Sequence, residues 1–94
     1  MLEKQIQKKI LDYLNARGKA IKIMEANEVG TPDIISVVDG IPYILEVKQP
    51  SKSATPIQLY QLQEWSKTGA HVRVVTSVAD VETLLHATLQ GGRL

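Results

Sequence analysis

The stretch Asp33-Ile-Ile-Ser-Val-Val-Asp-Gly-Ile-Pro-Tyr-Ile-Leu-Glu-Val-Lys48 decides the fold. Two runs rich in β-branched residues flank Asp39-Gly40, a dipeptide that supplies the two positive φ angles of a two-residue type I′ turn. The segment therefore reads as a β-hairpin, Asp33 to Val38 against Ile41 to Lys48. Such a turn fixes the register: Val38 faces Ile41, Val37 faces Pro42, and each step outward keeps the sum of the two numbers. Pro42 cannot donate to a ladder, but here it falls in a non-hydrogen-bonded pair and the hairpin loses nothing. Asp33 then faces Glu46, in the pair type where opposed Cα atoms approach to about 4.5 Å.

Directly opposed carboxylates destabilise a sheet unless a cation lies between them, and two oxygen clusters at that separation suit a hard divalent ion. Lys48 lies two residues past Glu46, so strand periodicity puts its ammonium on the same face. Ile35 and Ile44 share that face, and a charged group on a covered face has a partner or a task. The plainer alternative makes Asp33 a strand-end turn residue and Glu46 with Lys48 a surface ion pair.

Outward from the hairpin, Leu2, Ile6, Ile10, Tyr13 and Leu14 recur at helical spacing, which predicts an amphipathic helix over 2–16 with Gly18 as its C-terminal stop. Ala20 to Met24 reads as a short strand, followed by a polar loop that ends in the turn residues Gly30-Thr31-Pro32. Thr55, Pro56 and Gln58 form a Thr-x-x-Gln capping box for a helix to about Lys67, and Gly69 ends it. His71 to Val75 is β-branched and predicts a strand. Ser77 with Asp80 caps a last helix from Val78 to about Leu89, before a frayed tail over 91–94. The order is α-β-β-β-α-β-α, an α/β chain. Both hairpin faces are apolar, Ile35, Val37 and Ile44 on one and Ile34, Val38, Tyr43 and Leu45 on the other, so helices are expected on both sides of the sheet.

The 94 residues suffice for one domain and one core, and 44% apolar with 22% charged residues excludes a disordered or collagen-like chain. The absence of cysteine removes disulfides, thiolate metal sites and a thiol nucleophile. No stretch is long and apolar enough to span a membrane and no signal-peptide core opens the chain, so a cytoplasmic protein without a membrane partner is expected. The formal net charge of +1 hides a strong asymmetry. Residues 1–22 carry a balance of +4, residues 23–46 hold five carboxylates and no Lys or Arg, and residues 47–94 sum to +2. A basic rim around an acidic pocket suits metal-dependent work on phosphates.

Pro32-Asp33, twelve intervening residues and Glu46-Val47-Lys48 resemble the PD…(D/E)xK signature of restriction-endonuclease-like nucleases. The preceding Gly-Thr, the phrase Ile-Leu-Glu-Val-Lys-Gln-Pro and the later Thr-Pro-Ile-Gln…Trp…Thr-Gly-Ala-His-Val-Arg-Val-Val are similar to the virus-type replication-repair nuclease (VRR-NUC) branch, over Glu3 to Val75. The resemblance implies a restriction-endonuclease-like core with a mixed central sheet of about four strands flanked by helices. It implies Mg²⁺, with Mn²⁺ as a substitute, held by Asp33, Glu46 and the Val47 carbonyl, and Lys48 orienting water or phosphate. It also assigns catalytic positions to Glu3 and Gln58. The competing reading of Glu3 is a carboxylate favoured by the helix dipole, and that of Gln58 is the capping box itself.

The implied activity is metal-dependent endonucleolytic cleavage of DNA. A branched substrate, with the four-way Holliday junction first, and a homodimer in a bacterial or phage-infected cytoplasm complete the expectation. The alternatives are a monomeric flap or nick nuclease and a non-catalytic DNA-binding module. Trp65 shares a helix face with Leu62 and reads as core. Lys4, Lys8, Lys9, Arg17, Lys52, Lys67 and Arg73 are candidate phosphate contacts whose default is a solvated surface. His71 and His86 lack ligand spacing.

Overall fold

In the computed structural model, which describes residues 1–91, the elements are α1 (Glu3–Asn15), β1 (Gly18–Lys22), β2 (Ile34–Val38), β3 (Ile41–Val47), α2 (Pro56–Ser66), β4 (His71–Val75) and α3 (Val78–Gly91). Asp39 and Gly40 have φ of 53° and 75°, as a type I′ turn requires. The register follows from it: Val38 pairs with Ile41, Val37 with Pro42 and Ile34 with Leu45. The sheet order is β1-β2-β3-β4, with β1 and β3 antiparallel to β2 and β4 parallel to β3. It is the mixed four-stranded sheet of a restriction-endonuclease-like core.

One sheet face carries the main core. Ile34, Val38, Tyr43, Leu45, Val47 and Val75 pack there against Ile6, Ile10 and Leu14 of α1 and Val81, Leu84 and Leu85 of α3. Each such side chain removed from water contributes roughly 1.5–3 kcal/mol. The opposite face is only half covered. Helix α2 packs over β3 and β4, burying Ile44 and Leu62, whereas Ile21 and Val37 on the β1–β2 half stay 51% and 45% exposed. The expectation of helices on both sides therefore holds for half of this face, because a single helix roughly 10 Å across covers only about two strands spaced about 4.8 Å apart, here β3 and β4.

Several boundaries differ from expectation for definite reasons. Helix α1 ends in the right-handed residue Ala16, and Gly18 is not its stop but the first residue of β1. A Cβ at Gly18 would sit 2.2 Å from the Val37 carbonyl oxygen, so glycine is there to let two strands approach. This moves β1 two residues earlier than the expected Ala20 start. Asn15 clamps the junction, donating to the Ala20 carbonyl at 3.1 Å and accepting from its N–H at 2.9 Å. At the start of α3, Ser77 Oγ accepts from the Asp80 N–H at 3.1 Å, but Asp80 Oδ2 reaches back to Thr76, not Ser77. Helix α3 runs to Gly91, two residues past the expected end; the remainder of the expected tail, 92–94, lies outside the described residues.

Candidate active site

Asp33 sits one residue before β2, where the ladder gives way to the loop. Its N–H donates to the Leu45 carbonyl at 3.0 Å and its own carbonyl accepts from the Ile23 N–H at 2.8 Å, so the backbone is held from both neighbouring strands. The side chain then crosses to β3: Oδ2 accepts from the Val47 N–H at 2.8 Å. The loop leading to Asp33 is equally tied down. Gly30, with φ of 80°, lies so close to α2 that a Cβ would come within 2.9 Å of Ile57, and Gln61 of α2 donates to Glu28 Oε1 and to the Val29 carbonyl.

Glu46 lies on central strand β3 with its side chain 2% exposed. Burial on the α2 face follows from strand alternation, since Ile44, two residues earlier, is buried there as well. Lys48, 13% exposed at its side chain, brings Nζ to 3.5 Å from Glu46 Oε2. Glu46 Oε1 has no hydrogen-bond partner. The Glu46 carboxyl is pushed up to about 8, first by burial and then by the neighbouring Asp33 carboxyl, while Lys48 pulls the other way. Two acids thus converge with one amine, and one ammonium does not neutralise both. The surface-ion-pair alternative does not describe this arrangement, because the acid is buried and one of its oxygens is orphaned.

That orphaned oxygen and the raised proton affinity test whether the pair suits a divalent cation, and it does. The donors are hard oxygens: two carboxylates, with the Val47 carbonyl next in the chain. Mg²⁺ is typically held through one or two carboxylates with water and phosphate completing its shell. Among the described residues no third His, Asp or Glu joins them. Two carboxylates would therefore leave the rest of an ion's shell to water and substrate oxygens.

The other expected positions separate. Gln58 makes the capping box: its Oε1 accepts from the Thr55 N–H at 2.8 Å, and Thr55 Oγ1 accepts from the Gln58 N–H at 3.3 Å. Glu3 is half-buried in the first turn of α1 and has no hydrogen bond or ion pair to Asp33, Glu46 or Lys48. The start of α1 nevertheless lies beside the chain leaving β3, where Gln49 donates to the Met1 carbonyl at 3.3 Å. Trp65 is not core; it is half-buried on the wall of a groove of about 600 Å³ between α2 and the β1–β2 loop. Two buried glutamines escaped the sequence reading, Gln61 and Gln7, the latter with an orphaned Oε1. Gln7 lies one turn after Glu3 among apolar core positions, a pattern that could have drawn notice.

Of the basic candidates, Lys8 pairs with Asp12, Lys67 with Glu64, and Arg17 lies over the Tyr13 ring at 3.6 Å. The Glu64 carboxylate beside Lys67 raises its ammonium. Lys9 lines a cleft with Met1 and Pro50, and Lys52 is exposed in the same loop after Lys48. His71 stacks near Tyr43, with ring centroids 5.6 Å apart.

No family model and no curated protein matches the chain. Solved structures do. A structure described as a VRR_NUC domain is 29% identical over 89% of this chain and 94% of its own, with a TM-score of 0.77. A VRR_NUC domain protein, 18% identical, covers 96% of this chain and 89% of its own with a TM-score of 0.75, a likeness of fold. With the sheet order, the hairpin register and the Asp33, Glu46 and Lys48 cluster already in place, this similarity in fold and, at 29% identity, in sequence supports a VRR-NUC domain.

Proposed function

We propose that this domain is a divalent-metal-dependent DNA endonuclease whose reacting centre is Asp33, Glu46 and Lys48. The observation that carries the reading is the buried Glu46 carboxylate, with one oxygen unpartnered beside Asp33 and the other 3.5 Å from the Lys48 ammonium. Asp33 and Glu46, with the Val47 carbonyl, would hold Mg²⁺ or Mn²⁺. When bound, the ion offsets carboxylate and phosphate charge and makes water more acidic. Lys48 orients the attacking water or the phosphate and offsets the negative charge that develops on it. Water's oxygen joins phosphorus, the P–O3′ bond breaks, and the departing 3′ oxygen takes a proton, leaving 5′-phosphate and 3′-hydroxyl ends.

The Val47 N–H keeps Asp33 aimed at β3, so the ligand geometry is set before substrate arrives. Lys9, which shares a cleft with Pro50, and Lys52, exposed in the loop after Lys48, are the proposed contacts to flanking phosphates. Gln58 has its side-chain oxygen engaged at the cap, which favours a structural role over the catalytic one.

The proposed substrate is branched DNA, with the four-way junction first, cut by a homodimer. One 94-residue domain presents one site and a small footprint, whereas a two-fold pair would present two sites with the symmetry of the junction's two cut strands. A half-open sheet face with exposed Ile21 and Val37 is compatible with such a pair. The test is cleavage of duplex, flap, fork and four-way junction substrates with Mg²⁺ and Mn²⁺, alongside sedimentation at micromolar concentration. Paired symmetric cuts by a dimer are expected; a monomer that cuts one strand of a flap and leaves junctions whole would refute the junction assignment.

A further inference from the structure

The groove between α2 and the β1–β2 loop lies on the same sheet face as the two acids, though none of Asp33, Glu46 and Lys48 lines it. It begins one step away. Ile35 of its floor is the next residue on that face after Asp33, roughly 7 Å along the strand, and Ile23, also on the floor, hydrogen-bonds Asp33 through its N–H. The wall is α2, which contributes Tyr60, Gln61, Glu64 and Trp65. Ile23, Ile35 and the two aromatic rings make it a largely apolar slot with aromatic surface, of a size that accommodates a planar ring.

Charge narrows the occupant. Glu28 and Glu64 both line the groove, and the Lys67 ammonium is already engaged by Glu64 at 2.7 Å, so a phosphate would meet carboxylates. A neutral ring would not. Gln61 is nine-tenths buried; its amide nitrogen is spent on Glu28 and Val29, and its Oε1 has no partner among the described residues. An unpaired amide oxygen on a groove wall is an acceptor for a ring N–H or exocyclic amine.

Resting on the nuclease reading above, we propose that this groove receives one unpaired nucleobase of the DNA strand whose phosphate sits at Asp33 and Glu46, with the base stacked on Trp65 and held at its edge by Gln61. The groove thereby selects strands with an unpaired base beside the cut, a property of branched and frayed DNA that intact duplex lacks. Stacking on an aromatic ring tolerates any base, so the selection is for single-strandedness and not for sequence.

Trp65 is the chain's one tryptophan, so its emission reads this contact alone. In Ca²⁺, a short oligothymidylate is titrated into the whole domain while tryptophan emission and the anisotropy of a dye on the oligonucleotide are followed together. Quenching is expected with the intact strand, and a strand abasic at one nucleotide next to the scissile phosphate should bind roughly tenfold more weakly, without quenching. Tyr60→Ala, at a half-exposed position, should weaken the intact strand and leave the abasic one unaffected. Binding seen by anisotropy without quenching, or equal binding of intact and abasic strands, overturns the base pocket and leaves the nuclease reading standing. Tryptophan emission that follows protein concentration and ignores the oligonucleotide assigns the groove to a second copy and overturns it as well. No DNA binding at all removes both readings.

Discussion

Replacing Glu46 by glutamine should stabilise the metal-free protein, and increasingly so as pH rises. The folded carboxyl titrates near 8 and the unfolded one near 4.5, so the folded state holds the proton more tightly. Stability from this group is therefore complete below pH 4.5, lost as pH rises from 4.5 to about 8, and constant beyond. At roughly 1.4 kcal/mol per pH unit, the loss between pH 5 and pH 8 is on the order of 3 kcal/mol. For a domain of this size that equals roughly 10–20 °C in melting temperature. Glu46→Gln keeps the shape and cannot ionise, so its stability should lack this component while sharing every other titration. The assay is denaturant unfolding by circular dichroism in EDTA at pH 5, 6, 7 and 8, read as the difference between the two proteins. Parallel pH profiles would refute the claim that an ionised Glu46 is uncompensated in the metal-free fold.

Titrated Mn²⁺ should raise the melting temperature of the wild type and leave Asp33→Asn unmoved, because the ion binds the native carboxylate pair and not the unfolded chain; equal shifts would signify nonspecific ion effects. Gly18→Ala should destabilise by roughly 2–4 kcal/mol, since its Cβ would lie 2.2 Å from the Val37 carbonyl, and a denaturation midpoint within error of wild type would contradict the close approach of β1 to β2. Thr55→Ala and Gln58→Ala should each cost about 1 kcal/mol and leave cleavage similar, since each removes half of one cap; cleavage lost only in Gln58→Ala would restore a catalytic role to that side chain.

The hairpin and its acids were legible because a two-residue turn converts sequence into register without reference to the rest of the chain. Asp39 and Gly40 fix where Ile34 meets Leu45, the last pair of the ladder; the expected Asp33–Glu46 pair is not formed, since the Asp33 N–H goes to the Leu45 carbonyl, yet both acids lie within one residue of that last pair. The sequence could not indicate that Asp33 leaves the strand and spends its side chain on the Val47 N–H, because that depends on where the ladder ends. Gly18 is ambiguous in the sequence, since glycine serves both helix stops and close strand contacts, and only the neighbouring strand distinguishes them. Partial cover of the α2 face was hidden for a related reason: alternation reports that a strand face is apolar, not how far a helix extends over it. Gln61 gave no periodic signal, as its burial comes from a loop that folds back onto α2.

The central claim is that Asp33, Glu46 and Lys48 form a metal-dependent phosphodiester-cleaving centre. Its most direct test is single-turnover cleavage of end-labelled branched DNA by wild type in Mg²⁺, by wild type in EDTA, and by folded Glu46→Gln and Lys48→Ala in Mg²⁺. Cleavage by the first alone, with 5′-phosphate ends, is the expected result. Undiminished cleavage in EDTA, or full activity in Glu46→Gln, would contradict the account.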